Sequence, residues 1–399
     1  MPNVDVVVIG GGLIGCACAL GLAKGGASVA LLERGQFNQG ASGQNAGSLH
    51  FQLEHRLLSD IDNQRSELEH YVGLTRIAID QWRHIDQEVE CDTELHMNGG
   101  IMVAETTEQV ALLKRKSEIE QSQGLAVELL DGDAARTRAP YISRSVLAAL
   151  FCEVEGHCNP RLLTPAYASA AARHGAQQFV GAEVTAITRR TGRWRIGFTQ
   201  REDDSTPQTL DAEIVVNAGG VSAQAIAAMA NVHLPLFPVA LLMNCTEKVE
   251  PVVPHLVQHV GRKLSLKQTH SGNLLIGGGW TARLRQDGGN WSTTLPPDLE
   301  LDAIRGNLRT ACDVVPLVKS LRLLRSWTGM TAITADQLPV LGEVNQAPGF
   351  YVAAGGSGFT YGPTYAKLLS EQILTGKPSF PLDPYSPARF QGLNAFMGQ

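Results

Sequence analysis

The 399-residue chain has little of what would mark a membrane, secreted or nucleic-acid-binding protein. No run of about 18 consecutive apolar residues occurs, so no spanning helix is expected. Met1 to Asp5 carries no basic side chain, and glycines interrupt the apolar stretch from Cys16 to Leu22. That stretch therefore does not read as a signal peptide, and nothing is expected to precede the first domain. Net charge is −6, which argues against a nucleic-acid partner. Cys16, Cys18, Cys91, Cys152, Cys158, Cys245 and Cys312 are dispersed, with no C-x-x-C. Such a set reads as reduced thiols in a cytoplasmic protein. His255 and His259 have H-x-x-x-H spacing without the glutamate of H-E-x-x-H, in a segment that reads as strand-rich. Four-residue spacing aligns two ligands only on a helix, so no metal is expected. No Ser-His-Asp set or paired carboxylates are visible either. Apolar residues make up 44% of the chain, enough for one large or two intertwined domains.

What is present starts at the amino terminus. Val6-Val7-Val8-Ile9 is a short buried strand, and Gly10, Gly12 and Gly15 fit G-x-G-x-x-G at the start of a helix. A second apolar run, Val29 to Leu32, stops at Glu33, about 20 residues on. Gly10 permits the turn out of the strand, and Gly12 lets backbone approach a pyrophosphate. Gly15 lets helix and sheet pack closely. The helix N-terminus, flanked by Leu13 and Ile14, faces the phosphates with unpaired N–H groups. Glu33, beside Arg34, accepts ribose hydroxyls. The pattern predicts a dinucleotide site.

Gly40 to His50 is small, polar and Gly-rich: either a plain surface turn or a second wrap around the cofactor. Residues 57–90 and 106–124 have helical spacing, and Glu94 to Ala104 reads as a strand with a turn at Asn98-Gly99-Gly100. Asn159 and Pro160 predict an N-cap and first helical residue, with Gly175 as the stop. A hairpin follows, Val184–Arg190 and Arg193–Thr199, with Trp194, Ile196 and Phe198 alternating against a solvated basic face. Glu213 to Gly220 repeats the strand-plus-glycine design, and Leu234 to about Leu317 reads as strand-rich. Lys263 and Lys267 flank Leu264-Ser265-Leu266. They are either a solvated strand edge or a pair able to bind a phosphate as point charges.

Near the carboxyl end, Gly349 to Ala354 is a strand leading into Gly355-Gly356-Ser357-Gly358-Phe359-Thr360-Tyr361-Gly362-Pro363, and a helix runs from Pro363 to Gly376. This is either an ordinary strand-to-helix turn or a helix N-terminus that stabilises negative charge on a reduced flavin.

Together these segments resemble the D-amino-acid oxidase and glycine oxidase superfamily of FAD enzymes over nearly the whole chain. The anchors are Gly10, Gly12, Gly15 and Glu33, the Ser42-Gly43-Gln44-Asn45-Ala46-Gly47 loop, and Val216-Asn217-Ala218-Gly219. Trp327-Thr328-Gly329, Thr334 to Gly342 and Gly355 to Gly358 complete the set. The resemblance implies an α/β chain: a doubly wound Rossmann-type FAD domain and an α+β substrate domain on a mixed, mostly antiparallel sheet. It divides the chain into FAD segments 1–85, 151–230 and 321–399, with substrate segments 86–150 and 231–320 between them. It implies that Leu13, Ile14, Arg34, Ser42, Gly43, Asn45, Ala46, Gly47 and Ser48 contact FAD. On the same basis Val184 binds adenine through its backbone, and Ala218, Gly219, Gly329 and Gly356 to Thr360 complete the cofactor site.

Within the superfamily, Ala46-Gly47-Ser48-Leu49-His50 looks most like the β subunits of opine oxidases and D-hydroxyproline dehydrogenases. Related enzymes carry an arginine soon after Trp-x-Gly to clamp the substrate carboxylate. Here Thr331 stands in that place, leaving Arg56 or another cation for the task. Other relatives attach FAD through a cysteine near this segment and carry an oxygen-activating lysine before an Ile-Gly pair. This chain has no cysteine after Cys312, and Leu275 precedes Ile276-Gly277. Non-covalent FAD and poor oxygen reactivity are therefore expected. The resemblance implies a dehydrogenase of secondary or D-configured amines, with Gly47 and His50 beside the flavin ring. His50 is the candidate for the substrate side, with Tyr361 next to it; the alternative for each is structural, His50 satisfying backbone groups. The resemblance further implies partner subunits, one iron–sulfur, and FMN at an interface. The alternatives are a 2-hydroxy-acid enzyme and a cofactor-holding electron-transfer subunit.

Overall fold

Val6, Val7 and Val8 are each at most 1% exposed, as expected of a strand covered on both faces. Their strand, Asn3–Ile9, lies between Gln208–Asn217 and Val29–Glu33, parallel to both. Phe350–Gly355 and Gln177–Val180 extend this parallel sheet outward, and antiparallel Pro339–Glu343 closes one edge. The helices Leu13–Lys24, Pro160–Arg173 and Gly362–Thr375 pack against one face. The hairpin Ala182–Arg190 and Arg193–Gln200 lies over the other, burying Trp194, Ile196 and Phe198. The computed structural model describes residues 3–59, 61–200 and 207–390.

A second eight-stranded sheet runs in the order Leu323–Ile333, Phe237–Lys248, Asn273–Gly277, Ser265–Gln268, Leu256–His259, Gly100–Ala104, Ala148–Cys152, Glu128–Asp131. Only the Leu256–His259 and Gly100–Ala104 pair is parallel. The chain is thus the expected doubly wound sheet joined to a mixed, mostly antiparallel one. Among the described residues no helix is long and apolar enough to cross a membrane.

Several local expectations change. Leu323–Ile333 belongs to the second sheet, although the division by sequence set 321–399 with the first. The strand expected from Glu94 begins only at Gly100, because Glu94 has a left-handed φ of 53° and Gly99 one of 101°. The expected strand-rich stretch to Leu317 contains the helix Leu301–Val314. Its inward positions include Asn307 and Thr310, so the apolar period was masked. Of the two readings of Gly40 to His50, the plain surface turn does not hold: the segment contains the short helix Ala41–Gln44 and the strand Ser48–Leu49, paired with Gly156–His157. Asn159 does cap Pro160–Arg173, its side chain accepting from the Arg161 N–H at 3.0 Å.

Candidate functional site at the junction of the two sheets

At the carboxyl end of Asn3–Ile9, Gly10 has φ 114°, and a Cβ there would lie 2.4 Å from the Ala218 carbonyl oxygen. A Cβ on Gly15 would lie 1.9 Å from the Gly10 oxygen, so the helix Leu13–Lys24 can rest on the turn only with glycine there. The Ser42 hydroxyl accepts from the Leu13 N–H at 2.9 Å, which brings the Gly40–His50 segment over this helix N-terminus. Gly43 has no room for a Cβ, which would lie 1.9 Å from the Asn38 carbonyl oxygen. Glu33 accepts from the Gly11 N–H at 2.6 Å and the Gly35 N–H at 2.7 Å. Its carboxylate is thereby fixed beside the glycine turn, with acceptor capacity left over. Arg34 donates to the Thr293 carbonyl, far along the chain, at 3.2 Å. Val184 lies in the strand Ala182–Arg190, on the side of the sheet reached from Glu33 through Gln177–Val180.

Asn45 turns the chain by bonding the Ala41 and Ser42 carbonyls and accepting from the Gly47 N–H at 2.6 Å. Gly47, at φ 76°, passes so close to Cys158 that a Cβ would lie 2.1 Å from its carbonyl oxygen. Ala46 lies between these two fixed points. The chain then delivers Ser48 and His50 to the junction of the sheets. His50 donates its backbone N–H to Thr360 Oγ1 at 3.1 Å, and its Nε2 lies 3.4 Å from Ser265 Oγ on the second sheet. His50 Nδ1 and Ser48 Oγ are buried with no partner. Buried polar atoms are normally hydrogen-bonded, so these two, at the junction, leave bonding capacity for a bound group.

The carboxyl-terminal loop closes the same corner. Gly355 and Gly356 have φ of 77° and 60°, Gly358 packs near Ile14, and Phe359 lies against Trp82 at 6.0 Å between ring centroids. Trp82 Nε1 donates to the Thr360 carbonyl at 2.6 Å. Gly329 faces Gln44, whose carbonyl accepts from Trp327 Nε1 at 2.8 Å. The glycine turn, the fixed acid, the looped wrap and the unpartnered Ser48 and His50 fit a flavin dinucleotide laid from the first sheet toward the second.

Not every candidate converges there. The Tyr361 hydroxyl lies 2.7 Å from Thr75 Oγ1 in the core, and burial raises its pKa well above that of a free phenol. It is a packing residue beside Tyr71, not a companion of the His50 imidazole. Arg56 is also occupied: it donates to the Gln337 carbonyl and to Ser357 Oγ, both at 2.8 Å, and pairs with Glu54 at 3.3 Å. Burial opposes the charge on Glu54, but Arg56 overcomes this and holds the carboxyl below its ordinary pKa. Arg56 thus ties the His50 segment to the Gly355–Thr360 loop. Lys263 and Lys267 do not form a common grip. Lys263 is exposed, whereas Lys267 is 3% exposed and donates to the Cys158 carbonyl at 3.3 Å. Nor is their strand an edge, since Ser265–Gln268 lies inside the second sheet.

His255 bonds Tyr141 and His259 bonds Glu105, each within its own side-chain network. Sequence reasoning missed Gln52, Glu54, Lys116, Glu120, Glu155 and Gln258, which surround the His50 segment. Lys116 and Glu120 look like an ordinary surface pair four residues apart, and no local signal marks them as fully buried.

An α/β chain whose glycine turn, fixed acid Glu33 and carboxyl-terminal loop converge on the face of a second sheet is a flavin-dependent oxidoreductase. The chain belongs to the DAO family, FAD dependent oxidoreductase, whose model matches residues 5–372. It is similar to an opine oxidase subunit of Agrobacterium tumefaciens, 26% identical and covering 99% of this chain and all of that one. It is 29% identical to glycine oxidase of Geobacillus kaustophilus, covering 97% of each. Human dimethylglycine dehydrogenase is 27% identical over 97% of this chain, which spans only 44% of that longer protein. The crystal structure of L-proline dehydrogenase from P. horikoshii superposes with a TM-score of 0.84 at 25% identity, covering 98% of this chain and 99% of that one.

Proposed function

We propose that this chain is a dehydrogenase that oxidises the Cα–N bond of a secondary or D-configured amino acid, such as an opine or D-hydroxyproline. In this reading it is the catalytic β subunit of a heteromeric complex. FAD held by the Gly10–Gly15 turn, Glu33 and the Gly355–Thr360 loop would supply the hydride acceptor, flavin N5. The observation that carries the reading is His50: its backbone is fixed to Thr360, and Nδ1 is buried and unpartnered. An imidazole so placed can hydrogen-bond the substrate amine and keep it oriented. Desolvation at the junction lowers the amine's own pKa, so the neutral form that gives up hydride is favoured without a dedicated base. Sarcosine and proline, which appear in the relatives' names, are secondary amines, and dimethylglycine is a tertiary one, which supports an N-substituted amino acid as substrate.

Non-covalent FAD, transfer to an acceptor other than oxygen, and a cytoplasmic site belong to the same proposal. So do an FMN at a subunit interface and an iron–sulfur partner, but the Lys263 and Lys267 pair no longer supplies an FMN site. The test is anaerobic reduction of the yellow chain by a panel of sarcosine, proline, D-hydroxyproline, an opine and 2-hydroxy acids. Bleaching by a secondary amine, with dye turnover well above peroxide formation in air, is the expected result. Bleaching by hydroxy acids alone would make it an alcohol-oxidising enzyme. Bleaching only after a partner chain is restored would make it a dependent cofactor subunit.

A further inference from the structure

We infer that Glu155 is a positioning residue that sets where the His50 imidazole lies; the inference rests on His50 facing the substrate. Glu155 is 0% exposed. Its Oε1 accepts from the backbone N–H groups of Phe51 and Gln52, both at 2.8 Å. Its Oε2 accepts from Gln52 Nε2 at 2.9 Å and Gln258 Nε2 at 3.1 Å. Gln52 Oε1 accepts from Lys116 Nζ at 3.0 Å, and Lys116 bonds Glu120 at 2.7 Å. Glu120 in turn accepts from the Leu53 N–H at 2.6 Å.

Three consecutive backbone N–H groups are thus held by two buried carboxylates from outside the segment. Phe51 to Leu53 lie in neither helix nor strand, so no ladder fixes them, and these side chains do. His50 directly precedes the three, and Glu54 and Arg56 follow. The fit leaves no slack, since a Cβ on Gly100 would lie 2.0 Å from Glu155 Oε2. Burying this many polar groups is costly compared with apolar packing. What the arrangement achieves is a fixed path for the segment that carries His50.

Every partner of Glu155 is a donor. In Glu155→Gln the amide –NH2 must face either two backbone N–H groups or two glutamine amides, so neither orientation restores the set. The holoprotein should therefore be compared as wild type, Glu155→Gln and Gln258→Leu. Selectively 15N-labelled histidine resonances are read, with His50 assigned through His50→Asn, alongside anaerobic flavin reduction. Glu155→Gln should move the His50 signals and slow reduction at least tenfold while FAD affinity stays within twofold. Gln258→Leu, which removes one donor, should move the same signals less. It gives the answer if Glu155→Gln does not fold. Unmoved His50 signals in the folded variants would overturn the inference. If no amine reduces the wild type, the proposed function fails, but the resonances still decide the role of Glu155.

Discussion

The two sheets build their halves of the site from different material. On the first sheet the site is mostly backbone: Gly10, Gly15 and Gly43 are places where a Cβ has no room, and the acid Glu33 is itself held by two N–H groups. On the second sheet the site is side chain: Ser265 and the Glu155 set reach it from strands and loops far apart in sequence. A backbone-built site leaves a spacing of glycines that can be read one residue at a time. A side-chain-built site leaves only its composition, which many surfaces share.

The sharpest way to break the contrast is Gly10→Val. A β-branched residue at φ 114° whose Cβ meets the Ala218 carbonyl at 2.4 Å combines backbone strain with overlap that only main-chain movement relieves. A loss of more than about 3 kcal/mol is expected, seen as low soluble yield and no retained flavin. A folded, yellow Gly10→Val protein would show that the turn is not fixed by its missing side chain.

The same contrast explains what was legible. The first two strands, the Asn159 cap and the hairpin of Trp194, Ile196 and Phe198 follow from local periodicity and turn chemistry. The Leu301–Val314 helix did not, because it turns Asn307 and Thr310 inward: Asn307 bonds Asn244 and the Gly277 carbonyl. By sequence Tyr361 is expected beside His50 on the substrate side and Arg56 as a carboxylate clamp, yet Tyr361 bonds Thr75 and Arg56 bonds Gln337. Whether such a side chain points to substrate or to core depends on partners such as Thr75 and Gln337, hundreds of residues away.

A second, smaller effect tests whether the second sheet stores instability. Lys267 is an ammonium in the interior of the second sheet with one carbonyl bond, and burial pushes its pKa down to about 8. Its folded value lies below the ordinary 10.5. The unfolded chain therefore binds more protons between the two, and stability rises with pH across that window. The cost of burying the charge is fully present below pH 8 and fades above it. Lys267→Met should thus stabilise the protein by about 1–3 kcal/mol at neutral pH, with the gain shrinking in alkaline solution. Urea unfolding on both sides of that window checks it. An unchanged or lower stability at neutral pH would mean that Lys267 has support beyond the Cys158 carbonyl.

Val184→Ala should have the smallest effect on the cofactor, and it tests the backbone half from the other direction. If Val184 meets adenine through its main chain, removing two methyl groups leaves that contact intact, and the FAD dissociation constant should stay within about twofold. The same side chain is 8% exposed and packs in the core between the first sheet and its hairpin. Truncation should cost about 1–2 kcal/mol of stability through lost apolar burial. Measuring both on one protein separates the two roles, because flavin binding is read by fluorescence quenching and stability by denaturant titration of the apoprotein. Weakened FAD binding without loss of apoprotein stability would place the Val184 side chain, not its backbone, against the cofactor. The first sheet would then be less purely a backbone site than its glycines indicate.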